Sequence, residues 1–336
     1  MTVETTVAIV VALALGSIGV AVLARLGGRL PHATPSDRTL HAGAIPRAGG
    51  YAIWLGFLPI ALWLPPPFPG GIAGWLPPFL VVLAVSALDD AREVRADARL
   101  VVHLISAGWC AWWLWHGAHP PAQGSIVEAV AIVATALAIA WSANLYNFMD
   151  GSDGLAATMT VIGFGAYGIA AILASADGAA FFAMAAATLP FLAVNRPRAT
   201  MFMGDVGSVP LGFLAAAFGL AGVAGGVWPG WFPVLVFLPF LADASVTLAR
   251  RAALGARLAT AHREHYYQRL HRMGAGHAGT LGAYASAMAA ASALALLCLA
   301  WAPEWVPAAL AAACVVCFIL FGAIDYHWRR RLPTPQ

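Results

Sequence analysis

Long apolar segments, separated by short polar ones, constrain this chain more than any other feature. Hydrophobic residues make up 61% of its 336 residues and charged residues 10%, whereas about a quarter of the residues in ordinary soluble domains are charged. A helix that crosses a bilayer needs about 20 mostly apolar residues. The sequence therefore predicts an all-α, polytopic membrane protein with about eleven transmembrane helices. The predicted spans are residues 4–24, 49–64, 72–88, 99–116, 126–142, 155–175, 178–194, 207–223, 229–248, 279–301 and 305–327.

The arginines predict how this bundle is oriented. The chain has 18 basic residues, all arginine, and they fall in alternate loops between the predicted spans and at the C-terminus. Basic residues near the ends of spans stay on the cytoplasmic side. We therefore predict an odd number of spans, an outside N-terminus and a cytoplasmic C-terminus. Since no repeat or soluble linker interrupts the pattern, we also predict one domain over residues 1–336, located in the cell inner membrane.

The most polar loop, residues 144–154, places two carboxamides and two carboxylates between apolar segments. These side chains recur at every third position: Asn144, Asn147, Asp150 and Asp153. In one continuous α-helix, each step of three residues turns by about −60°, so Asn144 and Asp153 would face opposite sides. They converge only if the helix breaks, which we predict at Gly151, with Ser152 or Asp153 capping the next helix. The alternative is a capped turn whose polar side chains are merely solvated.

Adjacent carboxylates at Asp89 and Asp90 end a predicted span and repel each other. The compensating charge is a neighbouring arginine, a solvated network or a divalent metal, because Mg²⁺ is often held by one or two carboxylates plus substrate phosphates. Arg47 follows a Pro–Gly-rich turn in the first inner loop. Together with Arg38, it either enforces topology at anionic headgroups or binds a ligand.

Asp205 and the glycines beside it begin another predicted span, after Asn195, Arg196 and Arg198. A helix N-terminus offers free backbone N–H groups that suit a phosphate, and an Asp beside it suits a bridging Mg²⁺. The alternative is an ordinary Asp N-cap.

The longest inner loop, at about residues 249–278, carries histidines and arginines at short spacing, and we call it the histidine loop. His262, His265 and Arg269 are spaced to share one helix face, with Arg263 between them. A zinc site lacks a third ligand at helical spacing, and nothing else in the chain indicates nucleic acid as a partner. We predict a cradle for a nucleotide or pyrophosphate. Asp243, in the span before this loop, is either a partner of an arginine or a group that faces the cavity.

In combination, these motifs resemble the polyprenyl-phosphate N-acetylhexosamine-1-phosphate transferase superfamily. The resemblance covers nearly the whole chain and rests on residues 41–50, 88–90, 144–154, Asn195, 203–208 and the histidine loop. It implies transfer of a sugar-1-phosphate from a UDP-N-acetylhexosamine to undecaprenyl phosphate, with release of UMP. The expected cofactor is Mg²⁺, which Mn²⁺ could replace.

The same resemblance implies roles for individual residues. Asp205 and Asp150 correspond to metal ligands, and Asp89 and Asp90 to the catalytic pair. The implied substrate contacts are Arg47, Asn144, Asn147, Asp153, Asn195, His262, Arg263, His265 and Arg269. A phosphomonoester with a second pKa of about 6 is already largely ionised at neutral pH. Whether Asp89 or Asp90 acts as a base, or only organises metal and lipid phosphate, therefore stays open.

The histidine loop resembles the branch that initiates O-antigen or capsule chains with UDP-N-acetylated, often 6-deoxy, amino sugars. It differs from the denser histidine cluster of phospho-N-acetylmuramoyl-pentapeptide transferases, which are the alternative within the superfamily. His103 stands where this resemblance implies a glutamine. The sequence fixes no oligomeric state and is compatible with a homodimer.

Two other protein classes match less well. CDP-alcohol phosphotransferases carry an Arg soon after the first Asp-Gly, whereas Leu155 and two alanines follow Asp153-Gly154 here. Transporters place carboxylates near the bilayer midplane, often within repeats, whereas these acids lie at the ends of predicted helices.

Overall fold

The computed structural model describes residues 2–27, 30, 32–33, 45–118, 125–256 and 262–331. Arg38 and His41, which belong to the first polar motif, lie outside these residues. Two short strands, β1 (His32–Ala33) and β2 (Ile45–Pro46), pair antiparallel. The helices are α1 (Val3–Leu26), α2 (Gly49–Trp63), α3 (Ile72–Arg92), α4 (Ala96–Ala118), α5 (Ile126–Met149), α6 (Leu155–Leu173), α7 (Ala179–Asn195), α8 (Asp205–Ala224), α9 (Trp231–Val236), α10 (Leu238–Ala253), α11 (Tyr266–Leu270), α12 (Gly276–Ala300) and α13 (Val306–Arg331).

The apolar segments form helices because hydrocarbon offers no partner for backbone N–H and C=O groups, which a helix satisfies internally. Within the described residues, seven helical stretches are long and apolar enough to cross a membrane. They are Val3–Leu26, Ile72–Arg92, Ile126–Met149, Leu155–Leu173, Asp205–Ala224, Tyr266–Ala300 and Pro303–Arg330. The all-α membrane architecture is therefore confirmed. The count of eleven spans, the orientation and the single domain stay predictions.

The predicted span at residues 229–248 is not one continuous helix. It is interrupted at Phe237, which separates α9 from α10. Pro239, in the first turn of α10, has no N–H to donate and its ring crowds the preceding turn, which favours a helix start at this point.

The centre of the bundle is α8, on which α3 and α5 pack. In the most apolar window of α8, 83% of the residues are buried, against 17% in that of α13. A second group consists of α1, α2 and α7. There a Cβ on Gly16 would lie 2.7 Å from the carbonyl oxygen of Ala187, so the two backbones touch, as is common between membrane helices. The polar segments at residues 45–50, 89–99, 150–154 and 195–204 meet around the N-terminus of α8.

Candidate active site

The first polar motif is joined to the loop before α8 by backbone hydrogen bonds. Phe202 N donates to Pro46 O at 2.8 Å, and the N–H groups of Gly49 and Gly50 donate to Phe202 O and Met203 O, both at 2.9 Å. A Cβ on Gly50 would lie only 2.5 Å from Gly207 N, so this contact requires glycine. The pairing brings half-buried Arg47 beside the start of α8.

Asp90 caps the N-terminus of α8 from the end of α3. Its carboxylate oxygens accept hydrogen bonds from Asp205 N at 3.0 Å and Val206 N at 2.8 Å. Gly204, the N-cap residue, has a φ of +76° and no room for a Cβ, which would lie 2.7 Å from Asp90 Oδ2. The expectation that free N–H groups here bind phosphate, or that Asp205 is the N-cap, is therefore wrong. A carboxylate from another helix already uses the first two donors.

Arg99 links two of the predicted site residues. The short connection between α3 and α4, residues 93–95, folds α4 back along α3 and returns Arg99 to Asp89. One guanidinium nitrogen, Nη1, donates to Asp89 Oδ2 and also to Asp205 Oδ2, the latter at 3.0 Å. Asp89 also accepts a hydrogen bond from Val94 N at 2.6 Å. Arg99 thus supplies the positive charge beside Asp89 and Asp205. For Asp89, the sequence had left a neighbouring arginine, a solvated network and a divalent metal as alternatives.

Asp150 completes a group that we call the aspartate cluster: Asp89, Asp90, Asp150 and Asp205. The helix breaks as predicted, because α5 ends at Met149 and α6 begins at Leu155. Burial raises the pKa of Asp150 well above its usual value, the nearby charge of Asp205 raises it further, and Arg47 opposes both effects. Three loops that are distant in sequence therefore bring these four carboxylates together.

The turn at residues 150–154 is held by the loop before α8. Asn195 accepts a hydrogen bond from Gly154 N at 3.0 Å and donates to Met201 O at 2.9 Å. Asp153 Oδ2 accepts from Ala199 N at 3.1 Å. The N-cap of α6 is Gly154, without a side-chain cap, so the predicted capping by Ser152 or Asp153 is wrong. Asp153 and Asn195 are 2% and 3% exposed, and Asp153 Oδ2 and both polar atoms of the Asn195 amide bind backbone groups.

Asn144 and Asn147 lie in the last turns of α5, before Asp150. Asn144 donates from Nδ2 to Ala140 O at 2.7 Å and lies 3.4 Å from His103 Nδ1. His103 is buried one helical turn after Arg99. This contact connects α5 to α4 one helical turn away from Arg99.

The histidine loop is not helical where the spacing predicted one shared helix face. His262 and His265 precede α11, which begins at Tyr266, and Arg269 alone lies on that helix. The boundary is set by Asp243, a fully buried residue whose oxygens accept from the N–H groups of Tyr266 and Tyr267, both at 2.9 Å. Asp243 therefore caps α11, and neither predicted role, arginine partner or cavity group, describes its contacts.

Arg269 is bound to α13 rather than exposed to a ligand. Its guanidinium pairs with Asp325, which also accepts from Arg250 at 3.1 Å, and its side chain is 3% exposed. Glu264 pairs with Arg251 at 2.6 Å. These contacts tie the loop to α10 and α13.

The first two histidines of the loop, His262 and His265, stack beside α5. His265 stacks on Phe148, with ring centroids 5.9 Å apart, and Arg263 is half-buried. Burial, together with the charges of His265 and Arg251, lowers the pKa of His262 to about 4. His262 is therefore a neutral side chain at physiological pH, not part of a basic face.

The aspartate cluster fits a divalent cation in charge and in ligand type. Four carboxylates lie with two guanidinium groups, Arg47 and Arg99, which leaves two negative charges unmatched when all are ionised. Within the described ranges, no group of three or more His, Cys, Asp or Glu side chains is arranged to hold a metal by itself. Mg²⁺ commonly uses one or two carboxylates, waters and substrate phosphates, a mode that needs no such group.

The structure thus brings together Arg47, Asp89, Asp90, Asp150 and Asp205. Asn144 contacts His103, one turn after Arg99, and Asn147 lies on α5 three residues before Asp150. The structure does not bring His265 or Arg269 into this cluster through any described contact. Sequence reasoning did not select Arg99, although a short hairpin after Asp89 was a signal for it. His277, which contacts the 150–154 turn, was also missed, because that contact depends on a break between α11 and α12.

Comparison with known proteins agrees with this arrangement. Residues 72–223 match the glycosyl transferase family 4 model, a range that contains the whole aspartate cluster and Arg99. Along 88% of the chain, 28% of residues are identical to the undecaprenyl-phosphate alpha-N-acetylglucosaminyl 1-phosphate transferase of Yersinia pestis, of which 84% is covered.

Two further relatives extend the comparison. A decaprenyl-phosphate N-acetylglucosaminephosphotransferase of Mycobacterium leprae is 28% identical over 81% of this chain and 77% of its own length. A phospho-N-acetylmuramoyl-pentapeptide-transferase of Bacillus thuringiensis is 45% identical, but only over 22% of this chain and 24% of its own length. Residues 72–223 therefore belong to glycosyl transferase family 4, and most of the chain is similar to polyprenyl-phosphate N-acetylglucosamine-1-phosphate transferases.

Proposed function

We propose that this protein transfers a sugar-1-phosphate from a UDP-N-acetylhexosamine, with or without a 6-deoxy group, to undecaprenyl phosphate and releases UMP. The observation that carries this proposal is the aspartate cluster with Arg47 and Arg99 at the start of α8. Acids and arginines from separate loops, gathered at helix ends, suit a reaction between two anionic substrates.

The chemistry needs positioning and charge neutralisation more than a strong base. The attacking lipid phosphate is already ionised near neutral pH, and phosphoryl transfer is catalysed mainly by placement and electrostatic stabilisation. Asp90 binds two backbone N–H groups and Asp89 pairs with Arg99. These contacts favour a role in organising the site over a role as a proton acceptor.

Asp205 and Asp150 are the residues that would hold Mg²⁺, which would neutralise phosphate charge when bound. Among the described contacts, the Asp150 carboxylate accepts no hydrogen bond, and Asp205 uses one oxygen on Arg99. Arg47, beside the cluster but in no ion pair among the described residues, would contact the diphosphate. Asn144, Asn147 and His262 would contact nucleotide or sugar as neutral groups.

Comparison of the rival functions favours this branch. The pentapeptide-transferase similarity is confined to 76 residues, whereas the Yersinia pestis relative matches over 323. A transporter would distribute its carboxylates along a path near the bilayer midplane, but Asp89, Asp90 and Asp205 lie at the ends of α3 and α8. We therefore infer an enzyme that initiates a cell-envelope glycan such as O-antigen.

The arginine pattern supports a site at the cytoplasmic face of the inner membrane. UDP-sugars are made in the cytoplasm, so this orientation would supply the donor directly. A single cysteine introduced into residues 93–95 should then be labelled by a membrane-impermeant maleimide only after the cells are opened. Labelling in intact spheroplasts would contradict the orientation.

The reaction is tested with membranes that contain the full-length protein. With undecaprenyl phosphate, Mg²⁺ and a panel of UDP-N-acetylhexosamines, we expect UMP release with at least one sugar, and we expect EDTA or Asp205→Asn to abolish it. No UMP from any sugar, with the protein folded and inserted, would refute the proposed function. UMP release that depends on UDP-N-acetylmuramoyl-pentapeptide would instead assign the chain to the alternative branch.

A further inference from the structure

The turn at residues 150–154, which contains Asp150 of the aspartate cluster, is also held by a histidine. His277, in the first turn of α12, lies with Nδ1 3.2 Å from Asp153 N and 3.1 Å from Ser152 Oγ. Asn195 and Ala199 hold the same turn from the loop before α8. The turn is therefore fixed by two segments that are remote from it in sequence.

His277 reaches this position because α11 does not continue directly into α12. A π-helical turn at His271–Ala275 intervenes, with Gly274 at a φ of +103° and Gly276 at +63°. Both conformations are left-handed ones that favour glycine. The redirected chain brings the ring of His271 to 4.3 Å from that of His277, edge to face, and aims His277 at the turn.

The contact determines which nitrogen of His277 carries the proton. A backbone hydrogen has one fixed direction, and that of Asp153 points at Nδ1. Nδ1 must therefore present its lone pair, which places the proton of the neutral ring on Nε2. Asp153 Oδ1 is 3.7 Å from the same nitrogen. An ion pair there would need a proton on Nδ1 and would expel the Asp153 N–H, so the hydrogen bond describes this contact.

The N–H of Asp153 has no exposed route to water, because Asp153 is 2% exposed and Ser152 is 5% exposed. A buried donor left without an acceptor is costly, so loss of Nδ1 would favour rearrangement of the turn. Asp150, three residues earlier, would then shift against Asp205.

We propose that His277 is a positioning residue for the reaction proposed above, in which Nδ1 accepts a hydrogen bond from Asp153 N and so holds Asp150 beside Asp205. The role rests on the proposed function and extends it. It differs from the roles of His262 and His265, which precede α11, because His277 acts through the backbone of the turn.

Two amide substitutions separate this role from general packing. In His277→Asn, the side-chain oxygen lies one bond from Cγ, as Nδ1 does, and can accept the same hydrogen bond. In His277→Gln, the amide lies one bond farther, near the position of Nε2. We expect Gln and Leu variants to lower kcat roughly 10- to 100-fold, with a smaller change in KM for the UDP-sugar. We expect the Asn variant to stay within about three-fold of wild type, because it keeps the acceptor.

The matched control is His327→Leu, an exposed histidine on α13, which should not change kcat. Equal loss in the Asn and Gln variants would overturn the proposal, and so would full activity in the Leu and Gln variants. The Asn–Gln comparison keeps the test decisive if the Leu variant does not fold.

Hydrogen–deuterium exchange of residues 150–160 in the detergent-solubilised full chain gives a readout that needs no activity. We expect faster exchange in the Gln and Leu variants and wild-type exchange in the Asn variant and in His327→Leu. If the wild type releases no UMP, the proposed function fails while this exchange pattern still tests the hydrogen bond. If exchange is the same in all variants, the contact does not hold the turn and the proposal is wrong.

Discussion

Arg99 is the residue whose replacement tests the site most directly. In Arg99→Gln, the guanidinium that joins Asp89 and Asp205 is lost, and two carboxylates face each other without a cation. We expect a lower rate of UMP release and a lower unfolding temperature, because both acids would turn away from each other. The substitution does not change the identity of Asp205, the predicted metal ligand.

The size of the effect follows from the geometry. Two unit charges 3.0 Å apart, the distance from Arg99 Nη1 to Asp205 Oδ2, interact by about 5.5 kcal/mol at an effective dielectric constant of about 20. Desolvation offsets part of this energy, and the Arg99 side chain is 27% exposed. We therefore expect a net loss of roughly 2–3 kcal/mol, which corresponds to a rate about 30- to 150-fold lower if the loss falls on catalytic positioning.

The assay is UMP release at saturating substrates, together with thermal unfolding of the purified protein in detergent. Arg95→Gln is the matched control, because Arg95 pairs with Asp97 on the surface, where the side chains are 84% and 65% exposed. Exposed pairs contribute little to stability because water and salt screen them, so this variant should resemble wild type. Adding Asp89→Asn to Arg99→Gln removes one unpaired carboxylate and should restore part of the unfolding temperature. Wild-type activity in Arg99→Gln would refute the inference that Arg99 organises the cluster.

Three further predictions concern packing, buried hydrogen bonds and pH. Gly50→Ala should lower the unfolding temperature, at a cost of roughly 1–3 kcal/mol, because its Cβ would lie 2.5 Å from Gly207; Gly108→Ala, which meets nothing within 4 Å, should not. Asn195→Ala should cost roughly 1–3 kcal/mol by leaving Gly154 N and Met201 O unpaired, and an unchanged unfolding temperature would contradict its role. Because the pKa of His262 is lowered from 6.5 to about 4, His262 is neutral above about pH 5. The pH–rate profiles of wild type and His262→Gln should therefore run parallel from about pH 5 to about pH 8, and a wild-type inflection near 6.5 that the variant lacks would contradict this.

The sequence predicted the helices well because one physical requirement, internal satisfaction of the backbone in hydrocarbon, dominates their formation. It also predicted a break at Gly151, which lies between the end of α5 at Met149 and the start of α6 at Leu155, since polar side chains at every third position cannot converge on one helix. The interruption of the predicted span at 229–248 was missed, because the effect of Pro239 was not weighed against the apolar character of the segment. Local rules thus accounted for most of the element boundaries.

The site was predicted less completely, because its key contacts cross between segments. Adjacent Asp89 and Asp90 are equivalent by spacing, yet one pairs with Arg99 and the other caps α8. Asn195 and Asp243 are polar residues in apolar surroundings, a pattern that indicates a site as readily as a buried cap. Only the tertiary structure shows that both bind backbone N–H groups.

The cap on α8 also determines how an anionic substrate can be accommodated. With Asp90 bound to the first two N–H groups of α8, the positive end of that helix is already neutralised by a carboxylate and cannot bind phosphate in the usual way. A lipid phosphate and a diphosphate would add negative charge to a cluster in which four carboxylates already outnumber two guanidinium groups. Arg47 and Arg99 cannot balance that total, since Arg99 is shared between Asp89 and Asp205. The proposed role of Mg²⁺ therefore rests on the way the fold uses Asp90, and not only on the number of acids at the site.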